Sequence, residues 1–122
     1  MLSRLRWEVA AQVTPSIHRL PGFMPMGGVT IGRHIFLKAG HSQVILEHEL
    51  VHVRQYARWG IWGFLRRYLF SRAWRLTIEA EAYTVEARAY GVAWAATQLA
   101  GPLYRLGLSK VETGEAIRKA MA

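Results

Sequence analysis

Two histidines four residues apart, His48 and His52, form the pattern in this chain that most directly predicts chemistry. On an α-helix, residues at this spacing project from one face, one turn apart, so both imidazoles can reach the same metal ion. Glu49 lies beside the first of them and could take a proton from a water that the metal activates. The three residues therefore predict a metal site suited to hydrolysis.

The stretch at residues 48–52, which reads His-Glu-Leu-Val-His, is the HExxH signature of zinc proteases. A catalytic zinc site needs a third protein ligand and one position left for water. The helix could be buried on its other side, because the residues that face away from the histidines are apolar: Leu46, Leu50, Val51 and Val53. The alternative is a surface helix that carries two histidines by accident.

The third ligand has to be a histidine or a glutamate, because the chain contains no aspartate and no cysteine. The third histidine of a metzincin would fall at position 58, which is Arg58, and no histidine follows His52. The metzincin class is therefore excluded. The carboxylates that remain after the first motif, in the segment that follows Leu76, are Glu79, Glu81 and Glu86.

Residues 79–83, which read Glu-Ala-Glu-Ala-Tyr, extend the pattern. HExxH followed about one helical hairpin later by E-x-x-A-D resembles the gluzincin family of zinc metallopeptidases, and the small size resembles the minigluzincins. The chain is similar also to small bacterial peptidase-like domains of unknown function. This resemblance implies a zincin-like fold and hydrolysis of peptide bonds in a peptide or protein substrate. It implies Zn²⁺ held by His48, His52 and Glu79, with Glu49 as the general base.

The second motif departs from the family at its last position, where Tyr83 replaces the aspartate. Glu86 could instead accept a hydrogen bond from a zinc-bound imidazole, since such histidines donate their second N–H to a carboxylate or a carbonyl. Tyr83 could donate to a developing oxyanion, or could be a half-buried aromatic residue. Glu81 points about 160° away from Glu79 on an ideal helix and is expected to be solvated or paired with arginine.

Length and composition predict one globular domain, residues 1–122. The predicted helices and hairpin, together with the resemblance to zincins, imply the α+β class: mostly helical, with a small β-hairpin beside the HExxH helix. The chain has 122 residues, 52% of them apolar, and a net charge of +8 carried mainly by arginine. Such a charge favours an anionic partner, such as a membrane surface, nucleic acid or acidic substrates, or is simply a solvated basic surface. Nucleic acid ranks last, because the chain has no glycine-rich phosphate loop and no motif for base stacking.

The hairpin is predicted from two short apolar runs on either side of Gly32-Arg33, where glycine in the first central position fits a type II′ turn. By resemblance to zincins, residues 34–38 would be an edge strand that receives an extended substrate, or they would only cover the core. Helices are predicted at residues 2–13, from Ser42 to Gly60, and over the later segments 76–90 and 109–121, with a helix or helical hairpin at 61–75. Residues 92–100 are small and apolar and are predicted to belong to the core.

Residues 61–75 alternate aromatic side chains with arginines. The arginines divide the segment into apolar stretches that are much shorter than the roughly 20 apolar residues needed for a transmembrane helix. The segment could lie on an anionic membrane surface or be a core helix with solvated arginines. With no signal peptide recognised, the expected location is cytoplasmic, with peripheral membrane contact open. By resemblance, the isolated chain could be latent, with either terminal helix blocking the cleft.

Overall fold

The computed structural model describes residues 13–122, so the helix predicted for residues 2–13 lies almost wholly outside the described part. The predicted α+β class is confirmed, with four α-helices and a three-stranded sheet among the described residues. Backbone contacts divide the chain into two compact units, Met1–Leu65 and Arg66–Ala122. The expectation of one domain stays a prediction. The elements are β1 (Ser16–Arg19), β2 (Gly28–Ile31), β3 (His34–Leu37), α1 (Gln43–Phe70), α2 (Arg72–Tyr90), α3 (Val92–Leu99) and α4 (Lys110–Met121).

The sheet of the first unit contains the predicted hairpin. β2 and β3 pair antiparallel around Gly32, which has a φ of 62°, whereas Arg33 has no positive φ; this combination fits the predicted type II′ turn. β1 then pairs with β3 in parallel. For residues 15–28, which include β1, the proline and glycine turns in the sequence predict only loop or irregular strand.

The prediction that residues 34–38 form an edge strand is wrong. The strand order is β1-β3-β2, so β3 is the central strand and both of its edges are already hydrogen bonded within the described chain. An extended peptide cannot add to a strand whose backbone groups are already paired. The sequence could not reveal this, because the second partner of β3 is a short strand of mainly polar, exposed residues.

The inner side of the sheet packs on α1. The two elements share one hydrophobic cluster. Its buried residues are Ile35, Leu37 and Val53, and the partly buried residues around them are Val13, Ile45, Leu46 and Leu50. The helix face that was predicted to be apolar is thus the face that packs on the sheet. This packing fixes the rotation of α1, and with it the direction of the histidines on its other face.

α1 begins at the predicted N-cap and is interrupted at the predicted stop. The Ser42 hydroxyl accepts a hydrogen bond from Ile45 N at 3.3 Å. Gly60 has φ 73° and ψ 166°, a conformation that is essentially restricted to glycine. Tyr56 and Phe64 stack with ring centroids 3.8 Å apart, although eight residues of straight helix would rise about 12 Å. The chain therefore bends sharply at Gly60.

The second unit is helical. Ser71 caps α2 by accepting a hydrogen bond from Trp74 N. Ser109 caps α4 in a capping box with Glu112, which the Ser-Lys-Val-Glu sequence at residues 109–112 predicts. The hydrophobic core of this unit combines large apolar residues with alanines, and the small alanine side chains allow the helices to approach closely. Its buried residues are Ala80, Tyr83, Ala87, Ala95, Ala96, Leu99, Leu106 and Ile117. A buried hydrogen bond from Thr113 Oγ1 to Ala96 O, 2.9 Å long, joins α4 to α3.

Within residues 13–122 every helix is too short or too polar to cross a bilayer. This agrees with the prediction that arginines exclude a transmembrane helix at residues 61–75.

Candidate metal centre

The two histidines of the signature lie on α1 as predicted, side by side. His48 and His52 are each 6% exposed, and their ring centroids are 5.1 Å apart. The Phe64 ring lies nearly perpendicular to the His52 ring, with the centroids 6.1 Å apart. Phe64 reaches this position because the chain bends at Gly60. The interruption of the helix thus places an aromatic ring against the face that carries the two histidines.

The ring of His52 is oriented by Gln55, one turn further along α1. His52 Nδ1 lies 2.8 Å from Gln55 Oε1. A carboxamide oxygen can only accept, so the proton is assigned to Nδ1, and Nε2 becomes the nitrogen that is available as a ligand. A metal-ligating histidine normally donates its other N–H in this way. The sequence predicts Glu86 as a candidate for this kind of role; for His52, the acceptor is Gln55.

Glu49 is held by β2. Thr30 Oγ1 donates to Glu49 Oε1 at 3.0 Å, and the other carboxylate oxygen, Oε2, lies 3.9 Å from His48 Nε2. A β-carbon added at Gly28 would lie 3.1 Å from Glu49 Cγ and 3.0 Å from Leu37 Cδ2, so the absence of a side chain at Gly28 leaves room for the carboxylate. The carboxylate is buried but keeps one oxygen directed toward the histidine.

Glu79 lies on α2, is 4% exposed and accepts a short hydrogen bond from the Tyr68 hydroxyl, 2.6 Å from O to O. The backbone of Tyr68 is held in turn, because Arg75 Nη1 donates to Tyr68 O at 2.8 Å. A hydrogen bond to a charged acceptor stabilises the ionised carboxylate, which is the form that ligates metals. Tyr68 is a candidate functional residue that no pattern in the sequence indicates.

His48, His52 and Glu79 come together as predicted. Each offers one ligand atom, and these atoms all lie within 4.8 Å of one another; all three residues are buried. Around an ion with bonds of about 2.0–2.2 Å, tetrahedral ligand atoms lie roughly 3.3–3.5 Å apart, so small side-chain rotations suffice to close the site. The three residues could therefore hold a metal ion.

Tyr83 hydrogen bonds to a second tyrosine. Its hydroxyl lies 2.7 Å from the hydroxyl of Tyr104, with the rings edge to face. Burial raises the pKa of the Tyr104 phenol well above its usual value, and the nearby Glu79 carboxylate raises this pKa further. Tyr104 therefore stays protonated at all ordinary pH values. The oxyanion role of Tyr83 remains a prediction.

The other two glutamates of α2 differ in exposure. Glu86 is buried, and Glu81 is partly exposed, which agrees with the expectation that it turns away from Glu79. Thr30, Gln55 and Tyr68 were not assigned roles from the sequence. Gln55 alone left a local signal, because it follows His52 by one helical turn and can reach its ring.

Comparison of the chain with protein-family models, curated proteins and solved structures gave no match. The case for a metal centre therefore depends on its own residues: two imidazoles and a carboxylate with converging ligand atoms, and a second carboxylate next to them.

Proposed function

We propose that the protein is a zinc-dependent peptidase of the zincin type, related to the gluzincins. The observation that carries this proposal is the buried group of His48, His52 and Glu79, whose ligand atoms lie within 4.8 Å of one another. Two imidazoles and one carboxylate are the protein ligands of a well-known class of catalytic zinc sites. Neutral imidazole also suits zinc among the divalent ions.

When bound, the ion acts as a Lewis acid toward a carbonyl and lowers the pKa of a water ligand. The protein residues supply the proton transfer. Glu49 Oε1 is occupied by the Thr30 hydroxyl, so Oε2, 3.9 Å from His48 Nε2, is the oxygen that accepts a proton from the attacking water. The same oxygen then returns this proton to the amine that leaves.

The neighbouring side chains keep the ligands in their reactive form. Gln55 holds the proton of His52 on Nδ1, and the Tyr68 hydroxyl favours ionised Glu79. We further propose that Tyr83 donates to the developing oxyanion. For this, the Tyr104 hydroxyl has to be the donor in the hydrogen bond between the two tyrosines, which leaves the Tyr83 proton available for the oxyanion.

The test combines metal analysis with a cleavage assay on fluorescein-labelled casein. We expect wild type to contain about one zinc per chain and His48→Ala and Glu79→Ala to contain far less. We expect Glu49→Gln to keep its zinc and to lose cleavage by about 10²–10⁴-fold, the usual contribution of a general base. His41→Ala serves as the control, because His41 is exposed and hydrogen bonds to the backbone at Lys38 O.

Equal zinc content in wild type, His48→Ala and Glu79→Ala would rule out this ligand set. Zinc binding without any cleavage that depends on Glu49 would instead support a non-catalytic zinc module with a structural or regulatory function. The two results are distinguishable, since the first concerns the ligands and the second only the general base.

A second function is favoured by one surface of the second unit. We propose that residues 66–74 contact anionic membranes. Phe70 is 84% exposed and Leu69 60% exposed, and a shallow groove beside them is lined by Arg66, Arg67, Phe70, Ser71 and Trp74. The sequence from residue 50 to residue 78 contains six arginines and no acidic residue. Exposed aromatic side chains beside arginines suit the headgroup region of a bilayer.

Vesicle sedimentation tests this second function. We expect binding to vesicles that contain phosphatidylserine, weaker binding to pure phosphatidylcholine vesicles, and a loss of binding at high salt. Phe70→Ser should weaken binding, whereas Val111→Ser, which removes another exposed apolar side chain of the same unit, should not. Equal binding of both variants would contradict a membrane role for this surface.

A further inference from the structure

His18 and His34 lie next to each other on the outer side of the sheet. His18 Nε2 is 3.0 Å from His34 Nδ1. β1 and β3 run in parallel with Ser16 opposite His34 and His18 opposite Phe36, so all four side chains share one side. This side is opposite to the one on which Ile35 and Leu37 are buried. The pair is therefore accessible to solvent and separate from the residues of the candidate metal centre.

We propose that His18 and His34 form a second metal site, suited to a divalent ion with tetragonal geometry such as Cu²⁺ or Ni²⁺. For metal–nitrogen bonds of about 2.0–2.1 Å, two nitrogens at the observed separation subtend about 94° at the ion. A right angle between neighbouring nitrogens is the arrangement that Cu²⁺ and Ni²⁺ prefer, and imidazole suits both.

Binding of the ion would leave the number of protons on the two histidines unchanged. At present one ring donates an N–H to the bare nitrogen of the other. When the ion replaces this hydrogen, the donor ring moves its proton to its other nitrogen. Both histidines then bind as neutral imidazoles, His18 through Nε2 and His34 through Nδ1, and no net proton is released. Water fills the remaining positions, because the site is open.

The sheet holds both rings in place before an ion arrives. Each histidine is on a strand that is paired to its neighbour, and the His18 ring also stacks on Phe36, with centroids 4.9 Å apart and an angle of 26° between the planes. A ligand pair that is already ordered loses little conformational entropy on binding. This preorganisation distinguishes the pair from two histidines that meet by chance on a mobile surface.

Cu²⁺ titration of the full chain, followed by calorimetry and electron paramagnetic resonance, tests the site. We expect one bound equivalent that shows two nitrogen ligands and is lost in His18→Ala and in His34→Ala. His41→Ala is the matched control, because it removes a nearby exposed histidine and should leave this equivalent unchanged. Circular dichroism checks that each variant is folded.

The result is independent of the proposed peptidase function. His48→Ala should keep the equivalent that depends on His18, even if the other centre proves not to bind metal. Retention of that equivalent in both His18→Ala and His34→Ala would overturn the proposal. An equal loss in His41→Ala would also overturn it, since it would indicate general binding by surface histidines.

Discussion

At the scale of single residues, the close approach of β2 to Glu49 depends on Gly28. Alanine at this position would place a β-carbon 3.1 Å from Glu49 Cγ, so the carboxylate has to shift. We expect Gly28→Ala to lower kcat by up to about 10²-fold, because small misplacements of catalytic groups are costly. Zinc content should not change. Gly27→Ala is the control, since its β-carbon would meet only the end of a flexible Ile45 side chain at 3.4 Å; equal loss in both variants would contradict the argument.

Tyr68 supports a second prediction at this scale. Tyr68→Phe removes only the hydroxyl that donates to Glu79. We expect zinc affinity to fall by about 10–100-fold, the usual effect of removing a partner of a metal ligand. Competition with a chromophoric chelator measures this affinity. Tyr90→Phe should bind zinc like wild type, because Tyr90 is 51% exposed at the end of α2. Unchanged affinity in Tyr68→Phe would mean that this hydrogen bond does not tune the site.

The residues of the candidate site differ in how far the sequence could predict them. His48, Glu49 and His52 lie within one turn of helix, where spacing alone fixes which side chains share a face. Glu79 could be inferred only through a family resemblance. Tyr68 could not be inferred, because it precedes Glu79 by eleven residues across the helix boundary at Ser71, and no local periodicity relates two residues on opposite sides of such a boundary.

At the scale of elements, the bend at Gly60 supports a stability prediction. Its φ of 73° and ψ of 166° are open to glycine and costly for other residues. We expect Gly60→Ala to lower the free energy of unfolding by about 1–3 kcal/mol in urea denaturation. No atom lies within 4 Å of the added β-carbon, so the loss would come from the backbone rather than from a clash.

Gly22→Ala is the control for that change. Gly22 has equally open surroundings and no positive φ, so alanine should leave stability unchanged or raise it slightly. A Gly60→Ala variant as stable as Gly22→Ala would show that the chain can bend there without glycine.

Prediction of the elements succeeded where signals are local. Ser42, Gly60 and the capping box at Ser109 mark helix ends through hydrogen bonds and dihedral angles of neighbouring residues, and the hairpin follows from its turn. β1 was not identified as a definite strand because its four residues are mostly exposed and show no apolar alternation. Its pairing with β3 is a long-range contact, and sequence periodicity carries no information about such a partner.

At the scale of the whole molecule, metal binding is expected to control stability. His48, His52 and Glu79 bring two imidazoles and a carboxylate together in a buried group that forms only when the chain is folded. An ion that binds only the folded chain raises the free energy of unfolding by about 2.7 kcal/mol at a concentration 100 times Kd. Thermal unfolding in zinc and in EDTA should therefore differ for wild type. The His48→Ala variant should give the same unfolding curve in zinc and in EDTA. Identical curves for wild type in the two conditions would argue against the metal centre.

The parallel pairing of β1 with β3 has a consequence for the order of folding. The hairpin of β2 and β3 closes around two residues, and hairpins of this kind form in about 1–10 μs. β1 is expected to dock afterwards, since Ser16 has to find His34 across 17 intervening residues and a longer loop closes at greater entropic cost. The imidazoles of His18 and His34 therefore meet only in the last step of sheet assembly. During refolding, the appearance of the paired histidines would mark the moment at which the sheet becomes complete.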